Sequence, residues 1–173
     1  NEDNKNAFEF LIEEDFRPGE YYEIMEDENG GYMLNSKDMC MMPRLNDLLR
    51  IGMDSLKVEG RNKTEYYAGV VARAYRKAID DYYANPKEWN GDKYMSELMT
   101  LQNRGYCLGF HDGKITNISQ NYEYTRTLGE WLFAGSIVEW QGDDAIFELR
   151  NYVESGEFIE FLIPNGLDNF RLV

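Results

Sequence analysis

Lys57, Glu59 and Arg61 stand at alternate positions in the run from Ser55 to Lys63, separated by Val58 and Gly60 and preceded by Leu56. A period of two puts the three charges on one face of an extended segment. Turning three charges away from water is costly unless they pair or border a cavity. In α/β proteins such cavities open at the C-terminal ends of parallel strands. There Arg61 can grip a carboxylate or phosphate with its planar fork and Glu59 can orient it. Lys57 can add point charge or act as an acid or base. A surface ion-pair ladder on an edge strand has the same pattern, so the residues alone leave both readings open.

A second stretch precedes it, Asn35-Ser36-Lys37-Asp38-Met39-Cys40-Met41-Met42. Ser36 and Asp38 are types that bond to nearby backbone N–H groups. Cys40 among three methionines reads as a soft core residue. Other chemistries find no support. His111 is the single histidine, beside the Asp112-Gly113 turn and far from Cys40, so it reads as a surface turn residue and not half of a Cys–His pair. There is no HExxH, no DxDxDG calcium loop, and no glycine-rich phosphate loop ahead of a helix. Cys40 and Cys107 lack CxxC spacing, which argues for a reducing compartment, with the cytoplasm as the default.

The elements that must position these residues read as a mixed α+β chain. Strands are expected over 7–14, 20–26 and 32–34, with a turn at 27–31 and a loop over 35–40. Pro43, the Leu45/Leu48/Leu49 stripe and Gly52 predict a short helix. After the extended 56–61 segment, Asn62 as N-cap with Glu65 opens a helix over 63–83, with Tyr67, Val70, Val71, Ala74, Tyr75, Ala78 and Tyr82 on its apolar stripe. Residues 87–94 read as a linker and 95–101 as a short helix. From Asn103 the texture is β: strands over 106–110, 122–127, 131–140, 145–149 and 157–163, punctuated by glycine turns, predict a small closed barrel.

A chain of 173 residues with 43% hydrophobic content can bury a core, and no apolar run approaches the length of a membrane span. The net charge of −14 disfavours indiscriminate binding to nucleic acid or anionic membrane. It is unevenly spread. Residues 43–77 hold eight Lys/Arg against four acids, a local +4, whereas residues 1–30 hold eleven acids against Lys5 and Arg17. A basic stretch on an acidic body suits a specific anionic partner, or it merely solubilises two helices.

The runs NSKDMCMM (35–42), DSLKVEGRNKTEYY (54–67) and AYRKAID (74–80) resemble the signature of the collagenase-like peptidases, peptidase family U32, whose members carry NSKDLCM and DSLKIEGRMKSxYY at this spacing. Arg104 to Phe110, Gln120-Asn121-Tyr122 and Arg150-Asn151 also fall where that family has similar residues. The likeness runs from about Arg17 to about Pro164. It implies a C-terminal piece of a longer protein: 1–101 as a hairpin plus the end of a TIM-like catalytic barrel, and 102–173 as a small β-barrel similar to the second domain of translation factors. It implies proteolysis of unassigned catalytic type, with Lys57, Glu59 and Arg61 as catalytic candidates and Ser36, Lys37, Asp38 and Lys63 as substrate contacts.

Two alternatives accompany it. Some U32-like proteins are associated with tRNA or ribosomal RNA hydroxylation and depend on an iron–sulfur cluster, in which a cysteine at the Cys40 position joins three upstream cysteines. By that resemblance the chain itself completes no cofactor site. The other alternative is a non-catalytic module that docks RNA or protein. The partner is then a protein, peptide or RNA met through the parent protein, with no membrane. The chain alone is expected to be inactive and, with apolar helix faces uncovered, to self-associate.

Overall fold

The computed structural model describes residues 8–13, 15–19, 21–27, 30–33, 36–113, 119, 121, 131–163 and 169–172. It confirms mixed helix and strand content, in two units each built from separate stretches. Among the described residues no helix is long and apolar enough to cross a membrane.

One unit comprises residues 1–41 and 103–128. Strands β1 (Phe8–Glu13), β2 (Tyr21–Asp27) and β3 (Gly30–Met33) form an antiparallel sheet in that order. Phe10 lies opposite Ile24, and Ile24 opposite Met33, so apolar residues share one row across three strands. Gly30 and Gly31, expected in the turn, instead pair with Asp27 and Glu26. The expected 35–40 loop is also corrected. Asp38–Met39 is a short strand, β4, paired in parallel with β5 (Tyr106–Cys107). Its partner lies far downstream, where no local signal reveals it. The strand expected over 122–127 lies outside the described residues.

The other unit comprises residues 42–102 and 129–173. A 3-10 turn at Met42–Arg44 leads into α1 (Leu45–Arg50), and Gly52 at φ +80° ends it in the left-handed region that glycine enters without strain. Helices α2 (Glu65–Ala84) and α3 (Asp92–Met99) follow. Met42, Leu45, Val70, Ala74, Leu98 and Leu101 are at most 2% exposed and form the core. Burying each of the larger side chains contributes about 1.5–3 kcal/mol. Arg73 ties the two longer helices to the C-terminal strands: its guanidinium donates to Glu97, to the Ile163 carbonyl at 2.9 Å and to the Asn169 side chain.

Three expectations change here. Helix α3 starts at Asp92, inside the expected 87–94 linker, and ends at Met99, short of the expected 101. The α2 cap is Thr64, whose Oγ accepts from the Tyr67 N–H at 3.2 Å, because a turn closed by Lys63 N to Gly60 O holds Asn62 outside the helix. The extended strand at 56–61 is absent: residues 53–60 carry no strand pairing and 61–63 turn. A strand requires a neighbour to satisfy its backbone, and no described strand pairs with this one.

The C-terminal strands form two antiparallel ladders, β6 (Gly135–Gln141) with β7 (Asp144–Leu149) and β8 (Ile159–Phe161) with β9 (Phe170–Leu172). The first carries a bulge between Ile137 and Glu139 and turns at Gly142, φ +65°. Strand β9 has no counterpart in the sequence reading.

Candidate functional site

Strand β4 pairs Asp38 with Tyr106 and Met39 with Cys107, and Ser36, Lys37 and Cys40 flank it in the chain. Asp38 N donates to Gly105 O at 2.9 Å and Cys40 N to Cys107 O at 2.8 Å, while Lys37 N donates to Ser119 O at 2.9 Å. The Asp38 carboxylate receives Arg104 three times. Nε and Nη2 reach Oδ1 at 3.1 and 2.8 Å, and the Arg104 backbone N–H reaches Oδ2 at 3.2 Å. Two buried amides brace the facing segment. Asn103 Oδ1 accepts from Gly105 N at 2.8 Å, and Asn121 Nδ2 donates to Arg104 O at 3.0 Å. Gly105, at φ +82°, lies against the Lys37 stem. Asp38 is thus engaged in positioning the segment that carries Cys40. Sequence reasoning met Arg104 only within the family likeness, because its partner Asp38 is remote, and missed Asn103, which stands in no chemical motif.

Cys40 is 6% exposed. The register pairs Met39 with Cys107, so those two side chains share one face of the ladder and Cys40 takes the other. A four-thiolate iron–sulfur cluster needs four such donors and the chain has two cysteines, so its own residues do not complete that group. Among the described residues no group of three or more His, Cys, Asp or Glu converges as a metal site.

Lys57, Glu59, Arg61 and Lys63 fall in the other unit, on the turn before α2. Glu59 organises it: Oε1 accepts from Arg61 N at 3.1 Å, and Oε2 lies 3.9 Å from Lys57 Nζ. Lys57 and Glu59 side chains are 87% and 71% exposed, and Arg61 is exposed as well. Lys63 Nζ reaches the Gln102 carbonyl at 3.5 Å and sits 5.3 Å over the Tyr67 ring. The turn presents three cations and one carboxylate to water, an arrangement suited to gripping an anionic group. His111 is exposed in the turn after β5.

The chain matches the model of peptidase family U32 over residues 4–121. It is 39% identical over 94% of its length to tRNA hydroxylation protein P of Escherichia coli, and 34% identical over 94% to the protein of that name in Haemophilus influenzae. A collagenase of Porphyromonas gingivalis is 28% identical over 58% of the chain and 25% of its own length. The chain spans 36% of the length of each of the two tRNA hydroxylation proteins. No solved structure matches it.

Proposed function

The chain belongs to peptidase family U32, and on that premise we propose that it serves tRNA hydroxylation within the longer protein its relatives represent. The observation that carries this reading is the 39% identity to a tRNA hydroxylation protein along 94% of the chain. Proteolysis has support at the level of the family and from shorter matches, one to an uncharacterized protease of Methanocaldococcus jannaschii and one to a collagenase. The exposed turn of Lys57, Arg61 and Lys63 supports the same reading, because a phosphate-rich substrate is what a cluster of solvated cations attracts. In this proposal Arg61 grips RNA phosphate, Glu59 holds the turn that presents it, and Lys57 and Lys63 add charge. Lys37 adds a further substrate contact and Ser36 borders it. Cys40 enters as one thiolate of a cluster completed outside this chain. A barrel end for 1–101, a small closed barrel for 102–173 and a cytoplasmic location belong to the same proposal.

The test uses a bacterial strain lacking its own tRNA hydroxylation protein P, complemented with the gene that encodes this chain. Hydroxylated tRNA nucleosides are measured by mass spectrometry. Cys40→Ala abolishes them, and Arg61→Ala or Glu59→Gln lowers them at least about tenfold at equal protein abundance. Wild-type hydroxylation in all three variants would sink the proposal. Gelatin hydrolysis by the purified protein, lost with Glu59→Gln, would restore the peptidase reading.

A further inference from the structure

The second unit holds an open cleft of about 910 Å³ between the first turn of α2 and the C-terminal strands. Its walls combine aromatic faces with carboxylates. Tyr66, Trp131, Phe133, Tyr152 and Phe158 line it beside Glu65, Glu157 and Glu160, and no Lys or Arg is among the described residues that line it. Tyr66 stacks on Phe133 with ring centroids 6.0 Å apart. Tyr152 and Phe158 are 84% and 70% exposed. Large aromatic surface left in water beside a concave wall marks an interaction site.

Charge selects the occupant. Residues 129–173 hold nine acids against Arg150 and Arg171, a net −7. That field repels a phosphate backbone and draws a cation. The chain itself displays the binding mode. The Arg171 guanidinium lies 5.1 Å over the Trp131 ring, and its Nε donates to Glu160 Oε2 at 2.7 Å. Ring face and carboxylate together hold a guanidinium there. Tyr152 and Phe158 line the same cleft as Glu157, whose Oε2 accepts from the Glu154 N–H at 2.8 Å and whose other oxygen is left to meet a cation.

We infer that this cleft docks an arginine-bearing peptide segment of a partner protein, its guanidinium groups stacking on the exposed rings while the surrounding carboxylates supply the charge. The inference stands apart from tRNA hydroxylation and survives the failure of that reading. Fluorescence anisotropy of the full chain with fluorescein-labelled octa-arginine, octa-lysine and a single-stranded oligouridine tests it. Octa-arginine binds about tenfold tighter than octa-lysine, because a guanidinium stacks where an ammonium does not. The Tyr152→Ala/Phe158→Ala protein loses that advantage with an unchanged thermal melt, both rings being in water. Glu157→Gln, which keeps the side-chain volume, weakens octa-arginine binding as well. Equal binding of the two peptides, or full octa-arginine binding by the double variant, would reduce the effect to diffuse attraction and overturn the inference. Preference for oligouridine, lost in the double variant, would make the cleft an RNA site and overturn it equally.

Discussion

Asp38 and Arg104 predict an asymmetry that tests how the Cys40 segment is held. Arg104→Ala removes the two guanidinium bonds to Oδ1 but leaves the Arg104 backbone N–H on Oδ2, whereas Asp38→Ala removes all three. The ion pair is partly solvated, with side chains 47% and 21% exposed, so its worth is about 1 kcal/mol. A backbone bond to a charged acceptor adds about 1.5 kcal/mol. Arg104→Ala should therefore cost about 1 kcal/mol and Asp38→Ala about 2.5 kcal/mol. The double variant should cost no more than Asp38→Ala alone, since the guanidinium has nothing left to lose. Asp38→Asn, which keeps a neutral acceptor for the N–H, should fall between the two. Equilibrium urea unfolding of the purified chain reads all four values. Equal losses from the two single substitutions, or strict additivity in the double, would refute the three-bond account.

Asp81 supplies a pH prediction. Its carboxyl is held below its ordinary value, chiefly by the Tyr94 hydroxyl at 2.6 Å, with burial opposing and Lys77 and Lys93 adding to the shift. A depressed carboxyl contributes fully above its unfolded value and loses that contribution as pH falls through the folded one. The stability advantage of the native protein over Asp81→Asn should thus shrink on acidification below about pH 4, and Tyr94→Phe should flatten that dependence, as urea unfolding at stepped pH would record. A packing prediction concerns Gly91, the buried residue before α3. A Cβ there would overlap the Met42 carbonyl oxygen and come within 2.9 Å of the Trp89 ring, so Gly91→Ala should cost about 1–3 kcal/mol. Gly113→Ala meets open space and only the strain of φ +111°, so it should cost about 1 kcal/mol in the same assay.

What the sequence made legible was what neighbours along the chain decide. The stripe of Tyr67, Val70, Val71, Ala74, Tyr75, Ala78 and Tyr82 marked the inward face of α2, with Val70, Val71, Ala74 and Ala78 buried and the three tyrosines half-buried, and Gly52 marked the end of α1. Alternation located β1 and β2 to within a residue or so. Remote pairing stayed hidden. The short β4–β5 ladder joins segments with no periodicity of their own, and Thr64 displaces Asn62 as the cap only because the Gly60–Lys63 turn intervenes. Alternation at 56–61 misled for the converse reason. The charges do alternate, but no neighbouring strand is present among the described residues to make them one face of a sheet.

The residues singled out by chemical type divide according to what their polar atoms already do. Asp38 meets Arg104 at three points, and the backbone N–H groups of Lys37, Asp38 and Cys40 are all bonded to residues 105–119. Substitutions there act first on geometry, so a loss of hydroxylation in Asp38→Ala would have to exceed its loss of folded protein before it bore on chemistry. Lys57 and Arg61 stand in water on a turn fixed largely by Glu59, and surface substitutions at such positions move stability by no more than about 0.5 kcal/mol. Any large effect of Arg61→Ala on hydroxylation is therefore an effect on what the turn binds. That contrast makes the 57–63 turn the more decisive place to test the RNA reading, and the β4 segment the place to learn how Cys40 is aimed.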